Sequence, residues 1–218
     1  MKKMLCMMLA LMLLLCGFAM AETISPMNAE INPSEGTYPV RFKGDNQKDG
    51  VLNDVNIFTA DEYAPEDIEK LAVGDELLIE GKTVVVKTLA TNEFGGLDIN
   101  GGFTKEDGYS LIHYEPRADV DAPDNVECWM SNEYDDYESY TLRGTFSLPL
   151  DENVTLTDSS DIDATAIEEG RQPLVLTGIE AVAERLRTGE DNDFYNEFNT
   201  RMVIRDGKIV EINRHYVP

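Results

Sequence analysis

Apolar and polar positions alternate with a period of two through most of this chain, the pattern of strands with one face buried. Tyr38-Pro39-Val40-Arg41-Phe42 alternates, a polar loop runs from Asp45 to Gly50, and Val55-Asn56-Ile57-Phe58-Thr59 alternates again. The pattern predicts a hairpin with a wide turn. Leu77 to Glu80 and Thr83 to Thr88 flank Gly81-Lys82, a two-residue connection of the tight-hairpin kind. Leu97 to Asn100 and Tyr109 to Tyr114 add two strands among glycine turns. Farther along, Tyr140 to Leu150, Val154 to Thr157 and Leu174-Val175-Leu176 read as strands, the last a buried one. Met202 to Arg205 and Lys208 to Ile212 close the chain as a hairpin turning at Asp206-Gly207.

Helical spacing surfaces twice. Pro65 at a first helical position, Glu66 and Asp67 in the first turn and Ile68 with Leu71 predict a short helix closed by Gly74. Thr177 and Glu180 form a capping box ahead of the stripe Ile179, Val182, Ala183 and Leu186, and Gly189 ends it. The expected fold is mainly β with minor α (α+β): two packed small β-barrel- or sandwich-like modules with a few short helices. Residues 22–36, with Pro26, Pro33 and Gly36, read as an extended N-terminal arm. A β-rich module is expected over 37–116, a connector over 117–125, and a second β-rich module over 126–218 with its amphipathic helix at 178–188.

The one continuous apolar run stands at the beginning. Lys2 and Lys3 precede it, it extends from Met4 to Cys16, and Gly17 and Ala19-Met20-Ala21 follow. This is the layout of a secretory signal peptide over residues 1–21, cleaved after Ala21. The run falls short of the roughly 20 residues that span a bilayer. An extracellular or periplasmic protein with no membrane insertion after cleavage is expected. Leu13-Leu14-Leu15-Cys16 is similar to a lipobox, in which Cys16 would be lipidated, but Leu15 stands where that site takes a small residue.

Charge narrows the partners. Asp and Glu number 42 against 18 Lys and Arg, a net charge of −24. Nucleic acid and anionic lipid need a cationic face, so both are excluded, leaving cations, basic proteins and neutral polymers. Such charge also keeps an exported protein soluble, and a monomer is expected. Of the 3 cysteines, Cys6 and Cys16 lie in the signal region. Cys128 therefore has no intramolecular partner, and its neighbours Val126, Trp129 and Met130 predict burial.

Candidate chemistry is sparse. Gly81-Lys82-Thr83 is not a phosphate loop, because Glu76 stands where that motif needs glycine. Asp45-Asn46-Gln47-Lys48-Asp49-Gly50 with Asn53 is similar to the start of an EF-hand or dockerin calcium loop, yet Asn56 replaces the bidentate acid and the flanks are strands. That departure favours a hairpin turn. Asp119, Asp121 and Asp124, and likewise Asp158, Asp161 and Asp163, also gather oxygen ligands. His113 and His215 lack zinc spacing, and no nucleophile elbow is present. No catalytic residue, metal site or cofactor is assigned.

The segment from Trp129 to Tyr140 holds the only tryptophan and, with it, Tyr134, Tyr137 and Tyr140, set among acids and amides. Rings with polar rims are what sugar- and protein-binding surfaces use. Trp129, Tyr134, Tyr137 and Tyr140 are therefore the candidate ligand-binding residues. The expected function is a secreted, acidic, non-catalytic binding or cell-envelope-associated protein, its partner a neutral polysaccharide or an envelope protein. Two other classes stay open: a secreted hydrolase acting on glycans, which would need carboxylates converging in a cleft, and a calcium-dependent adhesion or assembly module.

Overall fold

The computed structural model describes residues 23–116, 126–132, 140–162, 165–166, 169–188 and 195–215. It is mainly β with several sheets and two helices among the described residues. The chain runs through β1 (Thr23–Ile24), β2 (Gly36–Arg41), β3 (Gln47–Lys48), β4 (Val51–Ala60), β5 (Glu62–Tyr63) and helix α1 (Pro65–Ile68). It continues through β6 (Glu76–Ile79), β7 (Lys82–Val85), β8 (Leu89–Thr91), β9 (Leu97–Ile99), β10 (Tyr109–Tyr114) and β11 (Cys128–Asn132). Then come β12 (Tyr140–Ser159), β13 (Leu174–Thr177), helix α2 (Ile179–Thr188), β14 (Thr200–Arg205) and β15 (Lys208–His215). No described helix is long and apolar enough to cross a membrane.

The longest strand organises the largest sheet. β12 spans 20 residues in one piece, where the sequence predicts two strands, because the register only shifts between Leu150 and Thr155. Before that shift it pairs antiparallel with β4, from Tyr140 opposite Ala60 to Pro149 opposite Val51. After it, Thr155 to Ser159 run parallel to β15. β15 pairs with β14, β14 with β2, and β2 with β4, all antiparallel. Five strands thus close a ring, in the order β2, β4, β12, β15, β14.

One core cluster draws on all five: Val40, Ile57, Leu148, Leu156, Met202 and Ile212 are among its members. Val182 and Leu186 of α2 enter the same core, as the helical stripe predicts. Each fully buried aliphatic side chain of this kind contributes roughly 1.5–3 kcal/mol. The helix starts one residue later than a capping box at Thr177 requires: Thr177 still pairs with Thr155, and Gly178, at φ +94°, turns the chain into α2. β13 is an edge strand with Leu174 and Val175 exposed, which corrects the expectation of a buried strand there.

A second core lies in the segment inserted between β4 and β12. Tyr63, Ile68, Leu71, Leu77, Ile79, Val86, Ile99 and Leu111 form it, under a sheet ordered β5-β11-β10-β9-β8 and a smaller one ordered β1-β6-β7. The predicted 77–88 hairpin is β6–β7, with Ile79 opposite Lys82, so its turn is Glu80-Gly81, one residue earlier than expected. The expected division at 117–125 is not where the sheets part. β10 and β11 pair across it, and the ring takes β2 and β4 from one side and β12, β14 and β15 from the other.

The arm is tied down along its length. β1 pairs with β6, Met27 N–H donates to Glu62 O, Asn28 Nδ2 donates to Ala60 O, and Gly207 N–H donates to Ser34 O.

Candidate functional site

Tyr140 opens β12, and its ring is held from β14. Arg201 Nη2 donates to its hydroxyl at 2.6 Å, the same guanidinium lies over the ring at 5.4 Å, and Phe198 packs against it at 5.7 Å in a tilted arrangement. Arg201 is itself fixed by a 2.8 Å bond from Nη1 to Glu197 O. On β2, the Tyr38 hydroxyl lies 2.9 Å from Asn32 O and 2.8 Å from Glu35 O and so clasps the arm. Burial raises the Tyr38 pKa, the bond to Asn32 opposes that, and the Glu35 charge adds to it.

Both tyrosines line a groove of about 450 Å³. Its walls come from the arm, the start of β2, the end of β4, Glu62, Met130 of β11, Tyr140 and Arg201. Ile31, Pro39 and Met130 give it apolar surface, and Asn28, Thr37 and Thr59 give it uncharged polar groups. Glu30 and Glu62 add two carboxylates. The lining gathers tyrosine, thioether and hydrogen-bonding groups in one groove.

Of the four ring residues expected to bind ligand, Tyr140 lies in this groove, and Tyr134 and Tyr137 fall outside the described residues. Trp129 pairs with Tyr63 and His113 across the sheet, and its ring packs partly buried on the second core, 5.0 Å from the His113 ring. Side chains alternate along β11, so it is Met130, the next residue, that reaches the groove. Cys128 is buried, as expected from its neighbours. Burial, with the Glu62 charge adding, pushes its thiol up to about 11.

Two of the clustered acids, Asp49 and Asp158, take structural parts. Asp49-Gly50 is the turn of the β3–β4 hairpin, with φ of 51° and 76°. Asp158 is spent on Arg185 at 3.2 Å and Arg214 at 3.5 Å, while Asp161 is exposed. Burial works against the charge of Asp158, but the bonds from Ser160 and the Arg214 and Arg185 charges outweigh it and hold the carboxyl below its ordinary range. Asp119, Asp121, Asp124 and Asp163 lie outside the described residues. Among the described residues no group of three or more His, Cys, Asp or Glu side chains is gathered to hold a metal ion. His215 is depressed by burial and the Arg201 charge, against a backbone bond involving Phe198.

Sequence reasoning passed over the most connected polar pair behind the groove. Asp61 and Arg143 have side chains 1% and 7% exposed and meet at 2.6 Å. Their only signal is a charge directly after an apolar residue near a strand end, Asp61 after Ala60 and Arg143 after Leu142. Comparison with known proteins finds no match to the chain among family models, curated proteins or solved structures.

Proposed function

We propose that this is an exported, non-catalytic binding protein whose groove beside Tyr140 takes a neutral polysaccharide of the cell envelope or its surroundings. The observation that carries this is the groove itself, whose lining joins Tyr38 and Tyr140 to apolar and uncharged polar surface. Rings stack on the apolar faces of sugars while amides and hydroxyls bond their edges. The strong negative charge of the chain disfavours anionic polymers in the same place.

The wiring of the ring supports the same class of ligand. Its strands follow the order first, second, third, fifth, fourth, with only the third and fifth parallel and α2 between the third and fourth. That is the path of an OB-type barrel, whose second and third strands carry oligonucleotide and oligosaccharide sites. Here those strands are β4 and β12, and Thr145 donates to Asn56 at 2.6 Å and Ser147 to Asn53 at 2.9 Å between them, a row without charge. Shared wiring is an analogy for function, and the groove has to carry the assignment.

The test is retention of purified protein on insoluble neutral polysaccharides, wild type against Tyr140→Ala. The wild type is expected to be retained and the variant to lose at least tenfold in affinity with little change in melting. No retention of the wild type on any neutral polysaccharide overturns the assignment. Glu30 and Glu62 in one groove favour a glycan hydrolase as the second reading. Release of new reducing ends from a retained polysaccharide, abolished in Glu62→Gln, would replace binding by catalysis.

A further inference from the structure

We propose that Asp61 and Arg143 are the positioning pair of the groove, setting where its barrel wall stands relative to the wall formed by the inserted unit. This rests on the groove being the binding site; the seating of the two units on each other does not. Among the described residues no ladder of strand pairs joins the two bodies. The seven-stranded sheet holds the ring, and the sheets of the inserted unit are separate from it. The Asp61 carboxylate bridges that gap, and Arg143 holds it from the ring side.

One carboxylate is held from both sides at once. Asp61 Oδ1 accepts from Arg143 Nη2 of the ring at 2.6 Å, and Oδ2 accepts from Glu80 N–H in the β6–β7 turn at 2.6 Å. Asp61 N–H donates to Ser131 Oγ of β11 at 3.3 Å, and Ser131 N–H donates back to Asp61 O at 3.0 Å. Arg143 Nε donates to Thr59 Oγ1 at 2.8 Å. Every one of these contacts ends on or beside a groove residue: Thr59 itself, Ala60 and Glu62 flanking Asp61, and Met130 next to Ser131. Any other seating of the inserted unit would take the Glu80 amide from a buried carboxylate whose other oxygen is fixed on Arg143, and a buried charge that loses a partner is strongly disfavoured. The pair therefore selects one seating, and with it one width for the groove.

The test uses the full chain with Cys6 and Cys16 replaced by serine and spin labels at Phe94→Cys in the β8–β9 turn, 89% exposed, and Val175→Cys on β13, 58% exposed, Cys128 being buried. Otherwise wild-type protein is expected to give one narrow distance. Asp61→Asn and Arg143→Gln are expected to broaden the distribution and to weaken retention on neutral polysaccharide at least tenfold, with Arg143→Lys between them and wild type. Slow amide exchange in β10 and β12 shows that both cores stay folded in these variants. Unbroadened distances with undiminished retention would overturn the positioning role. Should the variants not fold, the wild type still decides: the Glu80 amide is expected to exchange as slowly as core amides of β12, and exchange as fast as at Gly81 contradicts the proposal. If the distances broaden but the wild type binds no neutral polysaccharide, the positioning pair stands and the ligand assignment falls.

Discussion

Asp158 keeps a charge 4% exposed to solvent, and it does so because Arg185, Arg214 and Ser160 surround it. Its carboxyl is held below the ordinary value of 3.8, so the folded state binds its proton less tightly than the unfolded state does. Its stabilisation is complete above that ordinary value and is lost as pH falls through and below it. Asp158→Asn should cost about 3–5 kcal/mol by leaving arginines unpaired, and should flatten the acid limb of stability against pH. Denaturant melts from neutral to acid pH read both effects, and an unchanged acid limb would remove Asp158 from the acid response. The sequence shows Asp158 only as one of three clustered acids, since the partners that define it lie 27 and 56 residues away. Cys128 was more legible, because its apolar neighbours are adjacent in the chain. With its thiol at about 11, a hydrophilic alkylating reagent should modify it only after unfolding, and rapid native labelling would place it at the surface.

Turns were read well at the scale of elements, because their chemistry is local. Asp206-Gly207 takes φ of 49° and 71°, and Glu80-Gly81 takes 51° and 71°, the paired positive values of the tight hairpin turn. The second was predicted one residue late, since Gly81-Lys82 and Glu80-Gly81 both place glycine in the turn and only strand register separates them. Gly207 has open space where a Cβ would stand, so Gly207→Ala should cost the backbone term alone, about 1–2 kcal/mol. At Gly50, φ is +76° and a Cβ would meet Ile179 Cδ1 of α2 at 2.7 Å. Gly50→Ala should therefore lose about 0.5–1.5 kcal/mol more, the cost of turning the end of the Ile179 side chain aside, and the excess should be regained on adding Ile179→Ala. Equal losses at the two glycines, measured by urea melts, would show that α2 does not press on this turn. Strand partners were not legible. The alternation along β12 is the same in both its halves, and nothing in it says that one pairs with β4 and the other with β15.

The whole molecule is one unit nested in another, a five-stranded ring interrupted after β4 by an inserted β unit with its own core. Period-two alternation predicted the β-rich class, because it reports which face of a strand is buried. It could not place the boundary, because closing the ring depends on residues 51–60 meeting residues 140–149. The candidate site was legible in the same partial way. Aromatic density singled out Tyr140, whereas Tyr38, Met130 and Arg201 reach the groove only through that long-range pairing. Recognition of neutral glycan at the junction of ring, arm and inserted unit is most directly tested by hydrogen exchange of the intact protein with and without soluble neutral oligosaccharides. Slowed exchange confined to residues 28–32, 37–39, 59–62, 129–131, 140–143 and 201 is the predicted result. Unchanged exchange throughout, or protection confined to β13 and α2, would contradict it.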